Sequence, residues 1–199
     1  MSTYRGPRVK IIRRLGLLPG LTSKISKRKG LPGKSEMTKI KKSQYGIRLN
    51  EKQKLRYNYG LTEKKLVKYI QEARKSKFST VLTLLELLEM RLDNILYRLG
   101  LVQTIPFARQ LINHGHILVN NNTINIPSYN CKINDTISFK LKSNKIINSI
   151  IDQEKIKAHP SFLLLDEKNL IGKICNKIQR SEIEIELNEL LVVEYYSRI

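Results

Sequence analysis

Residues 87–127 read LLEMRLDNILYRLGLVQTIPFARQLINHGHILVNNNTINIP and decide the fold. Apolar residues recur at helical spacing from Leu84 to Leu99, and Gly100 then ends the pattern. This periodicity predicts a helix over 80–99. Thr83 and Glu86 have the spacing of a capping box, which would begin the helix close to them.

A shorter second helix is predicted after Thr104, which can cap it, because Pro106 is tolerated in a first turn. Gly115 closes this helix, residues 117–119 begin a strand, and residues 120–122, all asparagine, make a turn. Such a small packed unit with hydrogen-bond donors on one side suits an RNA backbone. The polar side chains that lie largely off its apolar stripe are Arg91, Arg98, Arg109, Gln110, Asn113, His114 and His116.

The formal charge of the 199-residue chain is +20, and it is unevenly distributed. Residues 1–45 hold thirteen Lys and Arg against one acid, and residues 46–79 hold ten against three. Residues 80–140 hold five against four, and residues 141–199 hold nine against nine. Solubility alone does not require so one-sided a field, so a polyanion is the simplest partner.

Motifs along the chain resemble the family of small-subunit ribosomal protein four. RLDN at 91–94, YRLG at 97–100, ARQL at 108–111 and HGHILVN at 114–120 are similar to the RNA-binding module named after that family. The resemblance covers nearly the whole chain and is weakest over 23–44 and 141–187. The similar segments outside the module are YRGPR at 4–8, RRLG at 13–16, LPGLT at 18–22, YGIRL at 45–49, EKQKLRYNYGLTE at 51–63 and NELLVVEYYSR at 188–198.

With these patterns, the resemblance implies an α+β fold in three parts. We expect a basic extended N-terminal ribbon over 1–45, which folds against RNA, contributes little to a core and is disordered alone. A helical domain over 46–87, completed by the tail 188–199, is joined to an inserted RNA-binding module with a small antiparallel sheet over 88–187. The other predicted elements are helices over 48–59, 62–76 and 189–196, strands over 136–141 and 182–187, a helix or loop over 142–160, and an ambiguous stretch over 161–180.

The function implied by the resemblance is that of a structural component of the small ribosomal subunit. Such a protein is a primary ribosomal-RNA binder that nucleates assembly of the subunit body and contributes to translational accuracy. Its implied partners are small-subunit ribosomal RNA, neighbouring small-subunit proteins and messenger RNA near the entrance, with no membrane and no cofactor. The opening MSTYRGPRVKIIRRLGLLPGLT resembles chloroplast-encoded copies, which implies a plastid ribosome in the stroma. The first 35 residues contain no acid, as in a transit peptide, but their Gly and Pro residues disfavour an amphipathic helix and YRGPR is similar to the mature start of the family, so we expect Met1 to be the mature terminus.

We predict RNA contacts from cations of the first 56 residues and from polar side chains of the module. For Arg109 an alternative stays open, in which its guanidinium pairs with Asp93 or Glu89. The family pattern usually has an Arg in the first turn of the module's second helix, where this chain has Ile105 and Phe107. The predicted RNA-binding residues are Arg5, Arg8, Lys10, Arg13, Arg14, Lys24, Lys27, Arg28, Lys29, Arg48, Lys52, Lys54, Arg56, Arg91, Arg109, Gln110, Asn113, His114, His116 and Asn120.

Two other functions have to be weighed against this one. Pseudouridine synthases often carry the same module and place a catalytic Asp in an Arg-Leu-Asp triplet, which is found here at 91–93. An RNA-modifying enzyme that docks through the module is therefore the alternative, although the chain has no room for a separate catalytic domain. A free RNA-binding regulator is a third possibility. We expect no enzyme, with Asp93 pairing with a nearby Arg or Lys or capping a turn.

Metal chemistry has little support in the sequence. His114 and His116 are too few ligands for a site without a third and a fourth. Many members of the resembled family bind zinc through a cysteine cluster near the N-terminus, but the first cysteine here is Cys131 and the second is Cys175. We expect both thiols to be packing residues in a reducing compartment. The tyrosines Tyr57, Tyr59, Tyr195 and Tyr196 could stack on bases or pack in a core with a polar tip.

Overall fold

A computed structural model of the protein describes residues 4–28, 30–33, 43–140, 159–166, 169–183 and 187–197. The chain divides into two compact units. The helical unit comprises Met1–Leu85 with Ile185–Ile199, and the module unit comprises Glu86–Glu184. Within the described residues, no helix is both long and apolar enough to span a bilayer.

The helical unit is built from α1 (Arg8–Leu15), α2 (Gln44–Asn58), α3 (Glu63–Arg74), the first part of α4 (Thr80–Glu89) and the C-terminal α7 (Glu189–Ser197). Ser43 caps α2, because its hydroxyl accepts a hydrogen bond from the backbone N–H of Gly46. Helix α7 packs on α2, where the hydroxyls of Tyr45 and Tyr195 lie 3.3 Å apart. The three helices predicted over 48–59, 62–76 and 189–196 are confirmed, with shifted ends.

Part of the N-terminal segment packs into a core. Ile11, Leu18 and Leu21 form a buried cluster, against which Leu15 and Tyr57 pack. The expectation that these residues contribute little to a core is therefore wrong for α1 and for the turn that follows it. The Gly and Pro residues shape short turns around that cluster. Residues 34–42 lie outside the described part of the chain.

The predicted helix over 80–99 is two helices, α4 and α5 (Leu92–Arg98), separated at Met90 and Arg91. Arg91 is extended, with φ −73° and ψ 139°, and forms a β-bridge with Asn130. The predicted capping box at Thr83 is also wrong, because α4 begins three residues earlier, at Thr80. The break positions Arg91 and α5 against the loop that contains Asn130.

The module unit confirms the predicted helix–helix–strand pattern. Helix α6 (Ile105–Asn113) follows α5 and begins with Pro106 in its first turn, as expected. Strand β1 (Ile117–Val119) comes next, and Asn120 and Asn121 then adopt positive φ angles of 49° and 66°. These angles suit the turn into β2 (Asn122–Thr123), because asparagine tolerates the left-handed region.

A five-stranded antiparallel sheet of order β2-β1-β3-β5-β4 completes the unit, so the α+β class is confirmed. Strand β3 (Thr136–Phe139) lies beside β1. The stretch 161–180, which the sequence left ambiguous, contains a hairpin of β4 (Leu163–Asp166) and β5 (Ile171–Ile174). The strand predicted over 182–187 is wrong at its start, since Arg180–Glu182 is a 3₁₀ turn. Residues 184–186, and nearly all of the helix or loop predicted over 142–160, lie outside the described residues.

Candidate nucleic-acid interface

The exposure of the cations on α1 follows from the amphipathic character of this helix. Ile11 and Ile12 are buried in the unit, so Lys10 and Arg14 lie on the opposite, exposed side. Arg8 is partly buried, and Lys29 lies outside the described residues. The predicted RNA contacts in this segment that are exposed are Arg5, Lys10, Arg14, Lys24, Lys27 and Arg28.

Arg13 has a structural role in the same segment. Its Nε donates to the carbonyl oxygen of Gly30 at 2.9 Å, and its Nη2 donates to that of Leu31 at 3.2 Å. These bonds connect α1 to the loop at Gly30 and Leu31, which lie 17 and 18 residues after Arg13 in the sequence. Arg13 therefore stabilises the conformation of the N-terminal segment.

Among the cations predicted on α2, Arg48 pairs with the C-terminal helix α7, whereas Lys54 and Arg56 contact other residues of α2 itself. Arg48 Nη2 donates to Glu194 at 2.7 Å, and Lys54 Nζ donates to Glu51 at 2.7 Å. The pKa of Arg48 is raised chiefly because it donates this hydrogen bond to Glu194. Arg56 lies over the ring of Tyr57, with 4.5 Å from its guanidinium carbon to the ring centroid.

Lys52 is only 5% exposed, so it is not the surface contact that the sequence predicted. Its Nζ donates to Glu63 at 2.9 Å and lies 4.7 Å from the ring centroid of Tyr195. Tyr196 donates a hydrogen bond to the same carboxylate. Burial alone would raise the pKa of Glu63, but the hydrogen bonds from Tyr196 and Lys52 outweigh it and lower that pKa. This arrangement links α2, α3 and α7.

The tyrosines predicted as core residues or base-stacking residues lie inside the helical unit. Tyr59 and Tyr195 are buried, which favours packing over stacking on RNA. Burial, and then the hydrogen bond that Tyr196 donates to Glu63, raise the pKa of Tyr196. Its hydroxyl therefore stays protonated and remains a donor throughout the physiological range.

A buried charge network occupies the start of α5 in the module. Asp93 is 0% exposed and accepts from Arg91 through both oxygens, at 3.0 Å from Nε and 2.8 Å from Nη2. Arg109 Nε on α6 donates to the same carboxylate at 2.7 Å. The ion pair left open for Arg109 is thus present, and its side chain is 11% exposed. Arg91, predicted to bind RNA, is instead 3% exposed and enclosed beside Asp93.

A second buried pair lies one turn along α5. Arg98 donates to Glu89 through Nε at 2.9 Å and through Nη2 at 3.0 Å. Asn94 Nδ2 also donates to Glu89, at 2.6 Å. Arg91 and Arg98 each bind a buried carboxylate through two nitrogens, and Arg109 joins the first of these carboxylates from α6, so the network fixes the α4–α5 break and the packing of α6.

The module's exposed polar residues gather at the end of α6. Gln110, Asn113 and His114 are exposed there, and His116 is partly exposed just after Gly115, whose φ is +71°. The rings of His114 and His116 lie 5.9 Å apart, edge to face. These four predicted contacts form one small polar surface of carboxamides and imidazoles, and no Lys or Arg is among them.

The side chain of Asn120 stabilises the turn between β1 and β2 in which it lies. Its Nδ2 donates to Asp135 at 2.8 Å, and its Oδ1 accepts from the backbone N–H of Thr136 at 2.9 Å. Ile105 is buried and Phe107 is partly buried at the first turn of α6. That turn therefore presents no guanidinium where the resembled family usually has one.

No group of three or more side chains that could hold a metal ion is found in the described residues. Cys131 is buried, and that burial, followed by the charges of Asp135 and Asp93, raises the pKa of its thiol. The thiol is thereby kept protonated and unreactive, as expected for a packing residue.

The structure adds a cationic surface that the predicted contacts did not include. Exposed cations cover the polar side of α3 and the turn after it, and Phe78 beside them is 81% exposed. The sequence signal for it was the crowding of lysines around the apolar stripe of α3. Its cations are Lys64, Lys65, Lys68, Arg74, Lys75 and Lys77.

Comparisons with known proteins match the whole chain. The family model described as the ribosomal protein S4/S9 N-terminal domain matches residues 3–89, and the S4 domain model matches residues 90–137. The chain is 56% identical to small ribosomal subunit protein uS4c of Prototheca wickerhamii, over all of this chain and 99% of that protein. It is 58% identical to the uS4c protein of Marchantia polymorpha and 50% identical to uS4 of Thermosynechococcus vestitus, with the same coverage.

Proposed function

Because the chain belongs to the uS4 family of small ribosomal subunit proteins, we propose that it binds the ribosomal RNA of that subunit directly. The observation that carries this proposal is the set of exposed cations that the helical unit presents on the N-terminal segment and on α3. Carboxylates of the same unit are drawn into pairs with α2. The exposed cations can therefore neutralise phosphates that RNA folding brings close together.

The module contributes recognition of a different kind. Its exposed groups at the end of α6 are a carboxamide pair and two imidazoles, which can bond to 2′-hydroxyl or phosphate oxygens. Arg109, held by Asp93, lies on the same helix. The helical unit thus supplies most of the electrostatic affinity, and the module supplies shape recognition.

We further propose that this binding holds a multi-helix junction, nucleates assembly of the subunit body and contributes to translational accuracy. The partners are small-subunit ribosomal RNA, neighbouring small-subunit proteins and messenger RNA near its entrance. The names uS4c among its relatives support placement in the plastid ribosome.

An RNA-modifying enzyme is not favoured. The relatives are named as ribosomal proteins, and Asp93 is fully buried between two guanidinium groups. A catalytic carboxylate must reach its substrate, and this one is enclosed by Arg91 and Arg109. A free regulator is separated by sedimentation through a high-salt gradient, in which an integral component stays with the small subunit and a regulator leaves.

The salt dependence of RNA binding tests the proposal. Replacing the six exposed cations of the N-terminal segment (Arg5, Lys10, Arg14, Lys24, Lys27 and Arg28) with Gln should flatten the log–log salt slope by about 4–5, from a contribution of about 0.7–0.9 per contact. The control replaces three exposed lysines of the module, Lys132, Lys140 and Lys173, and should change the slope by less than the roughly 2–3 that three phosphate contacts would give. Melting curves check that both variants fold. An unchanged slope in the folded six-fold variant would contradict the proposal.

A further inference from the structure

A cavity of about 360 Å³ lies between α1 and α2 in the helical unit. We infer that it receives one unstacked nucleotide of RNA, an inference that rests on the proposed RNA-binding function. Its volume is within the range of small-molecule sites, about 300–1,000 Å³. The lining combines apolar, amide and cationic groups, and each of these corresponds to one part of a nucleotide.

The apolar part of the lining suits a flat base. Ile11, Leu15 and Leu49 contribute aliphatic surface, and the ring of Tyr57 stands beside them. That ring is held in place, because Tyr4 packs against it edge to face at 5.4 Å and Arg56 lies over it. A rigid apolar wall of this kind gains van der Waals contact without ordering a flexible side chain.

The amide part suits the hydrogen-bonding edge of a base. Asn50 and Gln53 line the cavity one turn apart on α2. Oε1 of Gln53 is buried and has no hydrogen-bond partner in the described part of the chain. Buried polar atoms are nearly always satisfied, so an unpartnered carboxamide oxygen on a residue that lines the cavity fits a ligand that brings a hydrogen-bond donor.

The charged part suits a phosphate. Lys10 and Arg14 line the cavity from one side of α1 and are both exposed, and no carboxylate is among the lining residues that belong to the described part of the chain. An inorganic anion would not need the apolar wall, and an apolar side chain of a partner protein would not need the cations. An unpaired nucleotide uses all three parts, and unpaired nucleotides are the usual target of specific RNA recognition.

Chemical probing of base edges in the small-subunit ribosomal RNA, with and without the full-length protein, tests this inference. The wild-type protein should protect one unpaired base. Gln53→Leu should restore the reactivity of that base, weaken binding about tenfold and leave the salt slope unchanged, since no charge is removed. The matched control is Gln71→Leu, an exposed glutamine on α3, which should keep the protection. Lys10→Gln should instead lower the slope by about 0.7–0.9.

The outcomes separate the cavity from the proposed function. If the wild-type protein binds the RNA but protects no unpaired base, the cavity inference is overturned and RNA binding stands, whatever the variant does. If Gln53→Leu folds and keeps the protection, the inference is also overturned, and a side chain of a neighbouring protein becomes the better occupant. If the wild-type protein does not bind the RNA at all, both proposals fail together.

Discussion

Replacing Asp93 with Asn should destabilise the module unit severely while leaving the RNA-modification pattern of the ribosome unchanged. The substitution keeps the shape of the side chain and removes its charge. Two guanidinium groups then face a neutral amide, in a place where the carboxylate is 0% exposed. Because Arg91 is also buried, it cannot exchange the lost partner for water.

The magnitude follows from the exposure of the two arginines. Breaking a buried ion pair by removing one partner costs about 3–5 kcal/mol. Arg91 carries this cost nearly in full, since it bonds both oxygens of Asp93. Arg109 is 11% exposed and can turn partly toward solvent, so it adds less. A loss of about 3 kcal/mol corresponds to a melting temperature lower by about 12–24 °C for a unit of this size.

Native-state amide exchange measures the effect within the module unit alone. The N–H of Leu99, which donates to the carbonyl of Ile95 at 2.8 Å, is a suitable reporter in α5. The control is Asp166→Asn, an exposed carboxylate that accepts from Asn169 and should change stability by less than about 0.5 kcal/mol. If the two variants lost equal stability, the argument from burial would be refuted. A pseudouridine lost from the mutant's ribosomal RNA would instead restore the enzyme hypothesis.

Two further predictions concern acid stability and packing. Glu63 accepts hydrogen bonds from Tyr196 and Lys52, and its pKa is lower in the folded protein than in the unfolded chain, where it is about 4.3. The ionised carboxylate therefore stabilises the fold at a pH above that unfolded-chain pKa. This stability is lost as the pH falls through the lower pKa of the folded protein. In urea unfolding at a series of pH values, Glu63→Gln should therefore lose less stability than the wild type between about pH 5 and 3. Gly172→Ala would place a Cβ 2.5 Å from Cδ1 of the fully buried Leu99, and should cost about 1–3 kcal/mol in denaturant unfolding; an equally stable variant would show that Leu99 can move.

Periodicity predicted the helix–helix–strand pattern at the start of the module but could not find the break at Met90. The apolar spacing continues in phase from α4 into α5, so no local signal marks the interruption. The break is made by backbone partners far along the chain, since Leu92 N–H donates to the carbonyl of Tyr129 and Cys131 N–H donates to that of Met90. Such long-range bonds leave no trace in a helical window.

The N-terminal segment illustrates a different limit. Its glycines and prolines were correctly taken as signs of turns, but they do not exclude burial. Leu18 and Leu21 follow α1 in a turn, where the N–H of Leu21 donates to the carbonyl of Leu18 at 3.1 Å, and they reach the same cluster as Ile11. Their partner Tyr57 comes from α2, and a local pattern cannot reveal a partner so distant in sequence.

The number of basic residues among the first 79 positions is larger than the number that can bind RNA, because several of these cations form ion pairs and hydrogen bonds inside the helical unit. Arg48, Lys52 and Lys54 each pair with a carboxylate, and Arg13 binds backbone carbonyls. If every basic residue were assumed to bind RNA, all four of these cations would be assigned to phosphates. Substitution at these positions should therefore act first on the stability of the unit, whereas substitution of the exposed cations should act on the salt slope. The fold thus divides one excess of positive charge into a set that is paired within the protein and an exposed set that can meet a polyanion.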